Sequence, residues 1–65
     1  MRLIINGEEK QTDAATVREL VIELGRGEQA VAVEHNREVV PRKLQNETLL
    51  KEGDVLELVT LVGGG

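Results

Sequence analysis

Residues 55–65 read VLELVTLVGGG, and this stretch decides how the rest of the chain is arranged. Its first eight residues alternate around large apolar side chains, the pattern of a strand. Leu56, Leu58 and Val62 share one face with Thr60 between them; Val55, Val59 and Leu61 share the other beside Glu57. No other segment is as hydrophobic, so this strand is expected at the centre of its sheet. It then runs without a spacer into Gly63, Gly64 and Gly65.

The surroundings of that strand follow from short local signals. MRLIIN, residues 1–6, is a first strand with Met1, Leu3 and Ile5 on its core face and Arg2, Ile4 and Asn6 on the other. Asn6-Gly7 is a two-residue hairpin signal, because both positions tolerate positive φ. The partner strand, EEKQT at 8–12, is polar and short, as suits an edge. In TVRELVIEL, residues 16–24, Thr16 caps a helix and Glu19 completes a capping box. Val17, Leu20, Val21 and Leu24 recur at helical spacing and form a core stripe. Gly25 supplies the left-handed stop.

AVAVEH, residues 30–35, is a third strand, turned by Asn36-Arg37 into a fourth, EVV, that Pro41 ends. Residues 42–54 read as a polar connection, with Leu44, Leu49 and Leu50 expected to pin it to the core. A turn at EGD, 52–54, leads into the last strand. The order is ββαββ plus a final strand. If that strand lies beside the first, the two run parallel, because two hairpins and a helical crossover separate them. One helix then covers one face of a mixed sheet of about five strands, an α+β domain of β-grasp, or ubiquitin-like, architecture. The domain is expected over residues 1–62 and a flexible glycine tail over 63–65.

Composition narrows the chemistry. A chain of 65 residues makes one domain and buries roughly 60% of its unfolded surface. It has no Cys, hence no disulfide, thiol nucleophile or thiolate metal site, and a single His, His35, builds no metal site alone. It has no aromatic residue, so the core must be aliphatic. A net charge of −4 without aromatic stacking platforms argues against nucleic-acid binding. No apolar run reaches membrane-spanning length, and the N-terminus reads as a strand rather than a signal peptide. The expectation is a soluble cytoplasmic domain.

The tail fits one kind of chemistry. A terminal carboxylate, with a pKa of about 3.5, is anionic and needs a leaving group such as AMP before it can be transferred. Three extended residues carry it about 10 Å from the domain. Glycines let that tether enter a channel too narrow for side chains. Near its root, Ile4, Val59 and Leu61 are expected to form an exposed apolar patch on the face away from the helix, a candidate partner surface. The paired carboxylates Glu8-Glu9 and Glu52/Asp54 read as solvated acidic surface, and His35 as a surface residue at a strand end.

In these pieces the chain resembles the sulfur carrier proteins of thiamine biosynthesis (ThiS), relatives of the molybdopterin-synthase small subunit and of ubiquitin. The resembling residues are IING at 4–7, TVREL at 16–20, VAVEHNREVVPR at 31–42, GD at 53–54 and VGGG at 62–65. The resemblance implies a protein co-substrate rather than an enzyme, with no bound cofactor or metal. An E1-like adenylyltransferase (ThiF type) converts the carboxylate of Gly65 to an acyl-adenylate. A sulfur donor such as a cysteine desulfurase replaces AMP and leaves a thiocarboxylate. Thiazole synthase (ThiG type) takes up the sulfur. Gly64 is the second residue of the family's Gly-Gly end, and Gly63 stands where relatives carry Ala or Gly. The chain departs from the pattern at Gln45, where some relatives carry an aromatic residue, and Arg42 fits the motif without an evident role. The alternatives are a carrier for molybdopterin or tRNA thiolation, or a ubiquitin-like protein modifier.

Overall fold

Asn6 and Gly7 both take positive φ, 50° and 82°, and fold β1 (Arg2–Ile5) back on β2 (Glu8–Gln11) as an antiparallel pair. The computed structural model describes residues 1–27 and 30–61. A second tight turn, with Asn36 at 50° and Arg37 at 74°, joins β3 (Val31–His35) to β4 (Glu38–Val40). Two consecutive positive φ values match the right-handed twist of the flanking strands, which explains why both hairpins use them.

The strand β5 (Val55–Thr60) lies between the two hairpins, in the order β2-β1-β5-β3-β4. It runs parallel to β1, with Ile5 beside Leu56, and antiparallel to β3, with Val33 beside Leu58. Asn6 extends the β1–β5 junction beyond the ladder: its Nδ2 donates to the Leu58 carbonyl at 3.2 Å. In return its Oδ1 accepts from the Leu58 N–H at 2.8 Å.

The helix α1 (Val17–Glu23) shows how local sequence and distant chain cooperate. The first N–H groups of a helix lack partners within it. Here Val17 donates to the Thr48 carbonyl and Arg18 to the Gln45 carbonyl, each at 3.0 Å. Glu19 N–H donates to Thr16 Oγ1 at 3.2 Å. The reciprocal half of the capping box reaches one residue further upstream than expected, Glu19 Oε1 accepting from Ala15 N–H at 3.0 Å. At the other end Gly25 adopts φ 77°, with Gly25 N–H donating to Ile22 and Arg26 N–H to Val21, a complete Schellman stop.

The core lies between α1 and one face of the sheet. Leu3, Val17, Leu20 and Leu56 are fully buried, and Ile5, Val21, Val33, Val40 and Leu58 nearly so. In the connection after β4, a 3-10 turn spans Arg42–Leu44. Of the three leucines expected to anchor this segment, only Leu50 enters the core; Leu44 and Leu49 are exposed. The bridge between Thr16 and Leu49 sets this choice, because adjacent residues in extended chain point to opposite sides. Three polar residues that sequence reading did not place inside are buried: Thr12, Asp54 and Gln45, the last 2% exposed, with its carbonyl accepting from Arg18 N–H at the start of α1.

Candidate functional site

The end of β5 carries both expected functional features: the root of the tail and one part of the apolar face. Leu56 and Leu58 point to the helix and are buried, while Val55 and Val59 point away and stay about half exposed; Leu61, past the end of β5, is also about half exposed but lines a cavity with Arg18 and Val21 of α1. The alternation read from sequence therefore assigns the faces correctly for Val55, Leu56, Leu58 and Val59. The tail residues Gly63, Gly64 and Gly65, with Val62 before them, lie outside the described residues.

The three expected patch residues are not contiguous. Register places Ile4 beside Val55, at the start of β5, and Val59 beside Ala32, four residues further along. That offset is about 13 Å at roughly 3.3 Å per residue. Between them Glu57 pairs with Glu34 across the β3–β5 ladder. Around Val59 the surface instead gathers Ala32 and Val39, which line a shallow depression with it and with both glutamates. Val39, 72% exposed, was not anticipated, because its position depends on the β3–β4 register, which sets Glu34 beside it. Leu61, past the end of β5, donates its N–H to the Ala30 carbonyl at 2.8 Å and lines the cavity beside α1 rather than the depression around Val59.

Two polar residues read as solvated turn out to be structural. Asp54 is buried, 8% exposed, and His35 is partly buried with Nε2 2.7 Å from Asp54 Oδ2. Lys51 N–H donates to the same oxygen at 2.8 Å. Burial pushes the Asp54 carboxyl up. Hydrogen bonds from His35, Asn36 and the Lys51 backbone, with the charge of His35, outweigh that and hold it below its ordinary value. This cluster fastens the turn before β5 to the β3–β4 turn, so its chemistry is absorbed in folding. Among the described residues no group of three His, Cys, Asp or Glu is placed to hold a metal ion. No helix there is long and apolar enough to cross a membrane.

A mixed five-stranded sheet with parallel β1 and β5 at its centre and one helix across one face defines a β-grasp domain. Comparison with known proteins gives the family. The sequence model of the ThiS family matches residues 3–65. The sulfur carrier protein ThiS of Bacillus subtilis is 32% identical over 65 residues, covering 97% of this chain and 98% of that protein. The crystal structure of the thiamine biosynthesis protein ThiS from Geobacter metallireducens superposes with a TM-score of 0.81 at 36% identity, covering all of both chains. A thiazole synthase of Paramagnetospirillum magneticum is 46% identical over 66 residues, across all of this chain. The chain spans 20% of the length of the thiazole synthases it matches. It belongs to the ThiS family.

Proposed function

We propose that this domain carries sulfur for thiazole formation on the carboxylate of Gly65. The observation that supports this most directly is the family match, which runs through the glycine tail to residue 65. In the first step a carboxylate oxygen attacks the α-phosphate of ATP and displaces pyrophosphate, giving an acyl-adenylate. A sulfur nucleophile from a desulfurase-type donor then attacks the acyl carbon and expels AMP. With a persulfide donor the product is an acyl disulfide; a second thiol attacks the donor's sulfur, forms a disulfide with it and releases a thiocarboxylate, with sulfur in place of one oxygen. The chain contains no Cys, so sulfur it carries covalently in this way sits on the backbone terminus.

The partners of this reading are an adenylating enzyme of the ThiF type, a sulfur donor and a thiazole synthase of the ThiG type. The likeness to thiazole synthases across this whole chain supports the last of these as acceptor, over molybdopterin, tRNA thiolation or protein modification. Docking is assigned to the apolar surface around Val59 and Val39, with Leu61 past the strand end and Ile4 at the far margin.

Intact mass tests the chemistry. The chain ending at Gly65 is incubated with ATP, the adenylating enzyme and a sulfur source. The expected result is a gain equal to the difference between sulfur and oxygen. Removal of Gly64 and Gly65 abolishes that gain. An unchanged mass with an enzyme active on another carrier rejects the reading.

A further inference from the structure

Three arginines from separate segments converge where the tail leaves the domain. Arg26, just past the Schellman stop, donates through Nη1 to Thr60 Oγ1 at 3.1 Å, on the last residue of β5. Arg18, on the first turn of α1, donates through Nη2 to the Gly27 carbonyl at 2.9 Å. Arg18 and Arg42 line, with Gln45 and Leu61, a small cavity of about 90 Å³. The bond from Arg18 N–H to the Gln45 carbonyl locks the helix to the turn that carries Arg42. Three of the eight basic residues of a chain with net charge −4 thus stand at one exit.

Among the described residues none of the three arginines forms an ion pair, although Arg26 lines a pocket with Glu8 and Glu9 on its β2 side. Arg18 and Arg26 bond a carbonyl and a hydroxyl, both neutral, and each contact uses one of the five N–H donors of a guanidinium. Their common position is the base of the tail, not its tip. Four residues separate Leu61 from the end of Gly65, at most about 14 Å when extended. A tail extended to that length would carry the reacting carboxylate beyond the reach of the arginines.

We propose that Arg18, Arg26 and Arg42 form a cationic collar that docks on a rim of Asp and Glu side chains around the tail channel of the adenylating partner. This rests on the carrier reading above. Exposed charges at the edge of an interface act mainly on encounter rate and orientation, and salt weakens them. The collar thus sets how readily the tail is delivered, not how fast its carboxylate reacts.

The test is the steady-state rate of pyrophosphate release, with a ThiF-type enzyme, ATP and the purified chain as varied substrate. Arg42→Glu, at an exposed position, raises the KM for the chain roughly three- to ten-fold at low salt with kcat near that of the unaltered chain. Arg42→Lys restores most of the loss, and added salt narrows the gap. The double variant Arg18→Ala/Arg42→Ala shifts KM in the same direction, and thermal melting verifies that each variant is folded. Folded variants with unaltered KM at low salt overturn the collar. So does a fall in kcat at unchanged KM, which would place the arginines at the reacting carboxylate. If the unaltered chain releases no pyrophosphate with an enzyme active on another carrier, the carrier reading falls and the collar falls with it.

Discussion

Asn36 Nδ2 donates to Asp54 Oδ1 at 3.0 Å, joining residues eighteen positions apart. The same asparagine exchanges two bonds with Val55: its Oδ1 accepts from Val55 N–H at 2.9 Å, and its own N–H donates to the Val55 carbonyl at 2.8 Å. The start of the central strand is therefore set by one buried carboxylate and the turn that faces it.

Acid should release that fastening. The folded carboxyl of Asp54 is held below the ordinary value of 3.8, so its ionised form is favoured by folding. Its contribution is fully present above the unfolded pKa and is lost as pH falls from there through the lowered folded pKa. Thermal melts from pH 6 down to about pH 2 should show a loss of stability below about pH 4. Asp54→Asn should be less stable near neutrality and flatter across that window. An Asp54→Asn chain with the same acid slope as the unaltered one would remove Asp54 as the cause.

The helix cap should have a measurable effect. Thr16 Oγ1 accepts from Glu19 N–H, so Thr16→Ala is expected to cost about 1 kcal/mol. For a domain of this size that lowers the melting temperature by roughly 4–8 °C. Thr16→Ser, which keeps the acceptor, should retain most of the stability.

The turn between β3 and β4 contains a residue that opposes its own conformation. Arg37 sits at φ 74°, where a side chain is unfavourable. Arg37→Gly should stabilise the domain by up to about 1 kcal/mol. Asn36 shares the positive φ, but its side chain holds Asp54 and Val55. Asn36→Gly should therefore destabilise, and denaturant melts of the two variants should move in opposite directions.

Neighbouring residues of β5 should separate folding from docking. Leu58 is buried, and Leu58→Ala should cost roughly 2–5 kcal/mol, much of the stability of so small a domain. Val59 is exposed, and Val59→Asp should cost about 1 kcal/mol or less. Titration calorimetry with the adenylating enzyme or thiazole synthase should show weaker binding for Val59→Asp and Leu61→Asp. Normal binding by both would remove this face as the docking surface. Ile4→Asp is expected to have the smaller effect on binding, since Ile4 lies beside Val55 rather than Val59.

Much of this molecule was readable in advance because its devices are local. Asn-Gly dictates a turn by what φ its two residues tolerate. Thr16 and Glu19 are three residues apart and meet on one helical turn. Val17, Leu20 and Val21 share a stripe at any helix start. The alternation in β5 separated Leu58 from Val59 without knowledge of any neighbour. Even the central place of β5 followed from its being the most hydrophobic segment of the chain.

Long-range register decided the rest. Sequence spacing cannot say that Ile4 stands beside Val55 and not Val59, because parallel strands so far apart in sequence slide until their ladder bonds and core faces agree. It cannot distinguish Leu50 from Leu44 and Leu49 in a segment with no period; the bridge from Leu49 to Thr16 does that. Asp54 and His35 looked like surface charges, since only the meeting of two distant turns buries and pairs them. The glycine tail announced itself in eleven residues, whereas the three arginines at its root lie in three segments that only packing of α1, β5 and the 3-10 turn brings together.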